Sequence, residues 1–171
     1  MPRRAIVAIL VAAVIGLAPV AATAQLLPGD HRIVPGVRIG AAELEQGDQG
    51  AMVRALGEPN RTEQRGDRAY YMYGAPEPDE LVVNFDLAKD APFEISTASP
   101  AYRTAEGLGV GSAASAIRAA LGPPLCESGN GDGPIVYGAI WFLTSHGNVT
   151  RVSIRKKLSP DDFRTGLARC R

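Results

Sequence analysis

One pattern occurs twice in this chain, and it limits the fold more than any other feature. Gly47–Pro59 reads GDQGAMVRALGEP, and Gly111–Pro124 reads GSAASAIRAALGPP. Each copy opens with Gly and a helix-capping residue type, Asp48 or Ser112, and closes on Leu-Gly-x-Pro. Asp and Ser side chains accept a hydrogen bond from the free N–H groups of a first helical turn. Gly57 and Gly122 stand where a helix end needs a positive φ, and Pro59 and Pro124 prevent continuation. Ala51, Met52, Ala55 and Leu56 match Ala116, Ile117, Ala120 and Leu121 as one apolar helix face. The spacing predicts helices over about Gln49–Leu56 and Ala113–Leu121.

The agreement continues downstream. Tyr73 answers Tyr137, Phe85 answers Phe142 and Ile95 answers Val152. Spacing slips only between Tyr73 and Phe85, where Gly74–Glu80 (GAPEPDE) has the composition of a longer hairpin loop. Arg68–Tyr73 is aromatic-rich, Leu81–Asp86 alternates, and Phe93–Thr97 is a weaker strand. In the second copy Ile135–Tyr137, Ala139–Leu143 and Val149–Arg155 are strands, with Ser145–Asn148 as a hairpin turn. The expected fold is α+β: two tandem modules, each a short helix on a three- or four-stranded antiparallel sheet, plus a C-terminal helix.

The boundaries that follow are 1–24, a leader; 25–40, an irregular lead-in with a short extended piece at Val37–Ile39; 41–98 and 99–158, the two modules; and 159–171, the last helix. Thr97–Thr104 (TASPAYRT) is the expected boundary between modules. The last helix is marked by Ser159 as cap, Pro160 in the first position and Asp161 and Asp162 in the first turn. Phe163, Leu167 and Cys170 form a stripe along one side of it.

The leader has the form of a secretory signal peptide. Arg3 and Arg4 precede the uncharged run Ala5–Leu17, and Ala22-Thr23-Ala24 is a small-x-small cleavage pattern between Ala24 and Gln25. The run is shorter than the ~20 apolar residues of a spanning helix, and no second such run follows, so no transmembrane segment is expected after cleavage. The whole chain carries 18 basic and 18 acidic residues, without a basic run or a basic–aromatic patch, which argues against nucleic acid. A periplasmic or secreted location permits a disulfide between the two cysteines, Cys126 and Cys170.

A helix ending in Leu-Gly-x-Pro, then a Tyr-bearing strand and two alternating strands, given twice, resembles the tandem modules of the β-lactamase inhibitor protein fold. It also resembles the single-module SmpA/OmlA (BamE-like) lipoproteins. The resemblance rests on Gly47-Asp48 with Leu56-Gly57-Glu58-Pro59 and on Gly111-Ser112 with Leu121-Gly122-Pro123-Pro124, and spans about Val37–Leu158. It implies helices on an antiparallel sheet, an envelope location and protein binding through the sheet surface. The lipid-bearing Cys of the lipoproteins is absent here, and no contact residue of the inhibitors maps through a shared motif.

Catalytic candidates are weak. Ser145, His146 and Asp132 write out a triad, but Ser145 and His146 are neighbours in a turn and on no G-x-S-x-G elbow. His31 and His146 are the only histidines and have the character of surface residues, and no Cys/His set has metal-ligand spacing. Glu77, Asp79 and Glu80 lack the spacing of a calcium loop. No catalytic residue, metal or cofactor is therefore assigned.

The function expected is a non-enzymatic, exported cell-envelope binding or assembly protein that presents a sheet surface to a protein or envelope component. The rival readings are a small hydrolase using Ser145/His146 and a β-lactamase inhibitor. Alternation turns Ile140, Phe142, Val152 and Ile154 inward and leaves Trp141, Leu143, Arg151, Ser153 and Arg155 as the candidate binding face. Trp141 has a second possible use, packing under the last helix or against the first module. Intact mass of the envelope-localised protein is expected to show a chain beginning at Gln25, and a retained Met1–Ala24 refutes the leader.

Overall fold

The structure, a computed structural model, describes residues 30–74, 81–128 and 132–156. The first half contains β1 (Ile33–Val34), β2 (Arg38–Ile39), β3 (Ala42–Glu43), α1 (Gln49–Leu56), β4 (Arg61–Arg65), β5 (Arg68–Tyr73), β6 (Leu81–Asp86) and β7 (Ala91–Thr97). The second contains α2 (Ala114–Leu121), β8 (Cys126–Glu127), β9 (Gly133–Tyr137), β10 (Ile140–Ser145) and β11 (Asn148–Arg155).

Helix α1 starts as its sequence dictates. The Asp48 carboxylate accepts from the Ala51 N–H at 2.7 Å, and Gly57, at φ 84°, ends it by donating to the Val53 carbonyl. Helix α2 starts differently. Its cap position is Ala113, whose side chain makes no capping bond, and the Ser112 hydroxyl turns away to accept from the Gly109 N–H at 3.0 Å. Main chain replaces the cap. The Ala114 N–H donates to Gly147 O at 2.9 Å, and Gly111 and Ser112 exchange bonds with Val149. The helix entry is thus stapled to the β10–β11 hairpin, which satisfies donors that a cap would otherwise serve.

The expected α+β pair of modules with a C-terminal helix is not the architecture found. The described chain is mostly β, 46% strand against 14% helix. Its strands form one eight-stranded antiparallel sheet, in the order β4-β5-β6-β7-β11-β10-β9-β8, and a small sheet β1-β2-β3. Two meanders, one from each half, meet where β7 pairs with β11 in the register Thr97↔Val152, Ser96↔Ser153, Ile95↔Ile154 and Glu94↔Arg155. The physical reason is that separate sheets would leave two apolar edges with unpaired backbone groups, and joining them removes both. Among the described residues α1 and α2 are the helices; the segment expected as a last helix, 159–171, lies outside those residues, as does the leader.

One face of the large sheet carries the core. Val83, Ile95, Ile154 and Ile140 stand in a continuous cross-strand row, none more than 3% exposed. The next row contains Leu81, Thr97, Val152, Phe142 and Ile135. Met52 and Leu56 of α1 and Ile117 of α2 belong to the same cluster. Complete burial of one such side chain contributes roughly 1.5–3 kcal/mol.

Two stretches with loop-like composition join this core. Ile33, Ile39, Ala42 and Leu44, on or beside the small sheet, are all buried in it, so residues 30–44 are ordered packing where an irregular lead-in is expected up to residue 40. Arg32 and Arg103 form a parallel bridge, and Tyr102, in the expected boundary stretch, is buried against Gly40. A Cβ on Gly40 would stand 2.9 Å from the Tyr102 ring, so this close approach needs glycine. His31 is half-buried with its ring 5.2 Å from that of Tyr102, which corrects its expected surface character. Strand β4 (RTEQR) is a polar edge strand with no apolar alternation to announce it. At the opposite edge Arg118 of α2 pairs with Glu127 of β8, and that hydrogen bond holds the Glu127 carboxyl below its usual range.

Tyr73 is 1% exposed, and its hydroxyl finds no hydrogen-bond partner. Burial pushes its phenol up to about 12, with smaller contributions from Tyr71 and Glu58. The unfolded phenol ionises near ~10, so this group's contribution to stability is complete below that pH and is lost as pH rises through about 12. Tyr73→Phe is expected to be neutral or stabilising by up to ~1 kcal/mol at neutral pH, since it removes a buried unpaired hydroxyl. It is also expected to flatten the alkaline loss of stability. Urea midpoints at neutral and alkaline pH test both, and an equal alkaline loss in the two proteins contradicts the assignment.

Candidate functional site

The second face of the large sheet is defined by the same alternation that builds the core. Across it runs a register row of Arg61, Met72, Val82, Ser96, Ser153, Trp141, Val136 and Cys126, one residue from each strand. Beside it runs a second row, Glu63, Tyr70, Asn84, Glu94 and Arg155. All five candidate binding residues fall on this face. Trp141 lies opposite Ser153 and Leu143 opposite Arg151, with Arg155 two positions beyond Ser153. Leu143 is 45% exposed.

The centre of the face is a ladder of arginines and aromatic rings. The Arg155 guanidinium stands 4.3 Å from the Trp141 ring centroid and 5.9 Å from that of Phe93. The Arg68 guanidinium stands 4.1 Å from the same Phe93 ring centroid. A cation over an aromatic face is attracted by the ring quadrupole, about 0.5–1 kcal/mol at an exposed site and more where water is excluded. Each guanidinium is also held by carboxylates. Arg155 bonds the Glu94 carboxylate through Nε and Nη2, and Arg68 stands 3.4 Å from Asp86 and 3.6 Å from Asp67. The two contacts to Glu94 orient the Arg155 guanidinium, while Arg68 is held more loosely by its two ion pairs. The indole N–H of Trp141 donates to Gly138 O at 3.2 Å, and Arg151 donates to the Ser96 hydroxyl at 3.3 Å.

Phe93 reaches this face because of a bulge. The register steps from Asn84↔Glu94 to Phe85↔Pro92, which leaves Phe93 without an opposite residue. Pro92 has no N–H to give the ladder of backbone bonds, so a bulge here loses little. A small cavity of about 260 Å³ opens beside it, lined by Asp86, Lys89, Phe93, Arg155 and Lys156 among others. Simple alternation from Ile95 assigns Phe93 to the core side, which is why sequence reasoning misses it and, with it, Arg68 and Glu94.

This face is less open than alternation implies. Val82 and Asn84, which alternation with Leu81, Val83 and Phe85 turns outward, are 6% and 8% exposed, and Val136 is fully buried. Asn84 donates to the Glu94 carboxylate at 3.0 Å, while its own side-chain oxygen is buried without a partner.

The hairpin tip does assemble Ser145 and His146, with the hydroxyl 3.0 Å from Nδ1. Asp132, however, accepts from the His146 backbone N–H and so ties down the turn, in which His146 adopts φ 50°. Orienting an imidazole takes a carboxylate on its ring, a role that this Asp132 bond to the main chain does not fill. Among the described residues no group of three or more His, Cys, Asp or Glu is placed to hold a metal ion, and no helix is long and apolar enough to cross a membrane. Cys126 sits half-buried in β8, while Cys170, Ala24 and Gln25 lie outside the described residues.

No protein-family model matches the chain, and no curated protein matches it. Among solved structures it is similar to an extracellular protein containing a SCP domain from Bacillus anthracis str. Ames, at 10% identity and a TM-score of 0.46. That likeness covers 71% of this chain and 52% of the other, so the chain spans about half the length of that protein.

The pairing of Glu94 with Arg155 is expected to show as a coupling energy. In a cycle of Glu94→Gln, Arg155→Met and the double variant, urea unfolding should give an interaction of about 0.5–3 kcal/mol. Strict additivity contradicts the view that the carboxylate positions the guanidinium.

Proposed function

We propose that this protein is an exported, non-enzymatic component of the cell envelope that binds a protein or envelope partner through the outer face of its large sheet. The observation that carries the reading is the Arg68–Phe93–Arg155–Trp141 ladder, four side chains from four strands held by carboxylates. Trp and Arg are the residue types in which interfaces concentrate their energy, and positioned side chains lose less entropy on binding than free ones. Leu143, Arg151 and Ser153 extend the face beside Trp141. Export is supported by the leader pattern of residues 1–24. The same compartment favours a Cys126–Cys170 disulfide, whose closure contributes roughly 4 kcal/mol in the chain-entropy account.

The mechanism is recognition by a preformed surface, with aromatic rings supplying apolar area and guanidinium groups supplying direction. The test is capture from envelope extract by the mature chain, compared with Trp141→Ala combined with Arg151→Ala. A specific partner is expected to be lost from the double variant, by about tenfold or more if Trp141 is a centre of binding energy. Equal capture by the wild type and a folded double variant rejects this face.

A further inference from the structure

We infer that the cleft between the small sheet and the end of α2 is a binding site for a small zwitterion with an apolar body, the class to which a short apolar peptide with free termini belongs. The cleft lies on the core side of the large sheet, so it is separate from the outer face and from the binding role proposed above.

The cleft begins where the cover of the sheet is incomplete. The core row Val83, Ile95, Ile154 and Ile140 continues to Tyr137 on β9. At Ile140 and Tyr137 a cavity of about 470 Å³ opens, walled by Ile33 and Val34 of β1 and by Leu121 of α2. Pockets that take small organic ligands measure ~300–1,000 Å³ and have mostly apolar walls with a few placed polar groups.

The walls are tied in place separately, which keeps them from closing on one another. On the side of the small sheet, a Cβ on Gly36 would stand 2.9 Å from the Ala139 Cβ, so the turn after β1 packs on the β9–β10 turn. The Ile33 N–H donates to Arg103 O at 2.8 Å and the Arg103 N–H to His31 O at 3.0 Å, which joins segment 103–106 to β1. That segment is itself a closed turn, with Gly107 N–H donating to Thr104 O at 3.0 Å and Leu108 N–H to the Thr104 hydroxyl at 3.2 Å. On the side of α2, the Tyr137 hydroxyl donates to Gly122 O at 2.7 Å, and Arg118 pairs with Glu127. A cleft held in this way is formed before a ligand enters, which lowers the cost of binding.

The chemistry of the ligand is set by two charges at the mouth. Arg32 and Glu106 both line the cavity and both are exposed. The neighbouring arginines are engaged, Arg38 by Asp30 and Arg103 by the Val110 carbonyl. Among the described residues neither Arg32 nor Glu106 has a charged partner, and they do not pair with each other. A guanidinium offers a carboxylate two parallel N–H donors, and a carboxylate accepts from an ammonium group. A ligand with one charge would match half of this mouth. A peptide with free termini matches both, its carboxylate on Arg32, its ammonium on Glu106 and its apolar side chains against Ile33, Leu121 and Ile140. The Tyr137 hydroxyl, whose proton is given to Gly122 O, keeps lone pairs for a peptide N–H.

Trileucine with free termini is the probe, followed by methyl NMR of the mature chain. Saturable shifts of the Ile33 and Ile140 methyl signals are expected, with a Kd of ~1 mM or tighter. Absence of a saturable shift there overturns the site. Acetylating the N-terminus or amidating the C-terminus is expected to weaken binding about fivefold in each case. Glu106→Gln should no longer sense acetylation, and Arg32→Gln should no longer sense amidation. Blocked peptides that bind the wild type as well as the free one, or decanoate bound more tightly than trileucine, overturn the zwitterion. Ala105→Trp, at an exposed position in the turn beside the cavity, is expected to abolish the shifts while circular dichroism shows an intact sheet. Undiminished binding by that folded variant overturns the location. If it does not fold, Arg32→Glu combined with Glu106→Arg carries the test of location, and binding that ignores both changes overturns it.

Discussion

The antiparallel pairing of β7 with β11 is the contact on which the rest of the protein depends. It places Ile95 beside Ile154, and through them it aligns Val83 of the first half with Ile140 of the second. Without that register the two meanders would be separate small sheets, each with an apolar edge and too little buried area to be secure. With it, the two helices and the small N-terminal sheet share one core. The same four-residue register also sets Glu94 opposite Arg155, so the contact that builds the core builds the outer face as well.

Core and outer face follow different logic on the two sides of one sheet. On the core side large apolar residues interlock in rows, and the Tyr73 hydroxyl is a buried polar group without a partner whose ionisation burial opposes. On the outer side the order comes from paired charges and rings: carboxylates aim the guanidiniums, and these stack on Phe93 and Trp141. That order is unneeded for solubility, since a sheet face turned to water is served by scattered polar residues. Carboxylate-aimed guanidiniums and stacked rings are the kind of order that the proposed binding role calls for.

The two helices and most strands of the large sheet were legible because each is written in local chemistry. Asp48 caps, Gly57 and Gly122 stop their helices, and alternation in Leu81–Asp86 and Ile140–Ser145 places alternate residues in the core. The five outer-face residues around Trp141 followed from the same alternation. What local pattern hid has physical causes. β4 carries no apolar residue, so its pairing with β5 has no hydrophobic signature. The stretch 30–44 is broken by Pro and Gly and builds its small sheet from two-residue strands, too short to show a period.

By itself, then, the sequence determined where the two helices start and stop, that Asp48 caps the first of them, and which side chains of most strands share a face. Those are properties of neighbouring residues, fixed by φ restrictions and the two-residue period of a strand. Tertiary structure alone decided that the two halves make one sheet, because the β7–β11 pairing joins residues far apart in the chain and satisfies edges that neither half displays as unsatisfied. It alone decided that Phe93 joins Trp141, since a bulge at Pro92 reverses the side to which alternation assigns it. It alone replaced the Ser112 cap with main-chain bonds from the hairpin, because a nearby carbonyl and a fitted backbone outcompete a side chain that has a second donor to serve.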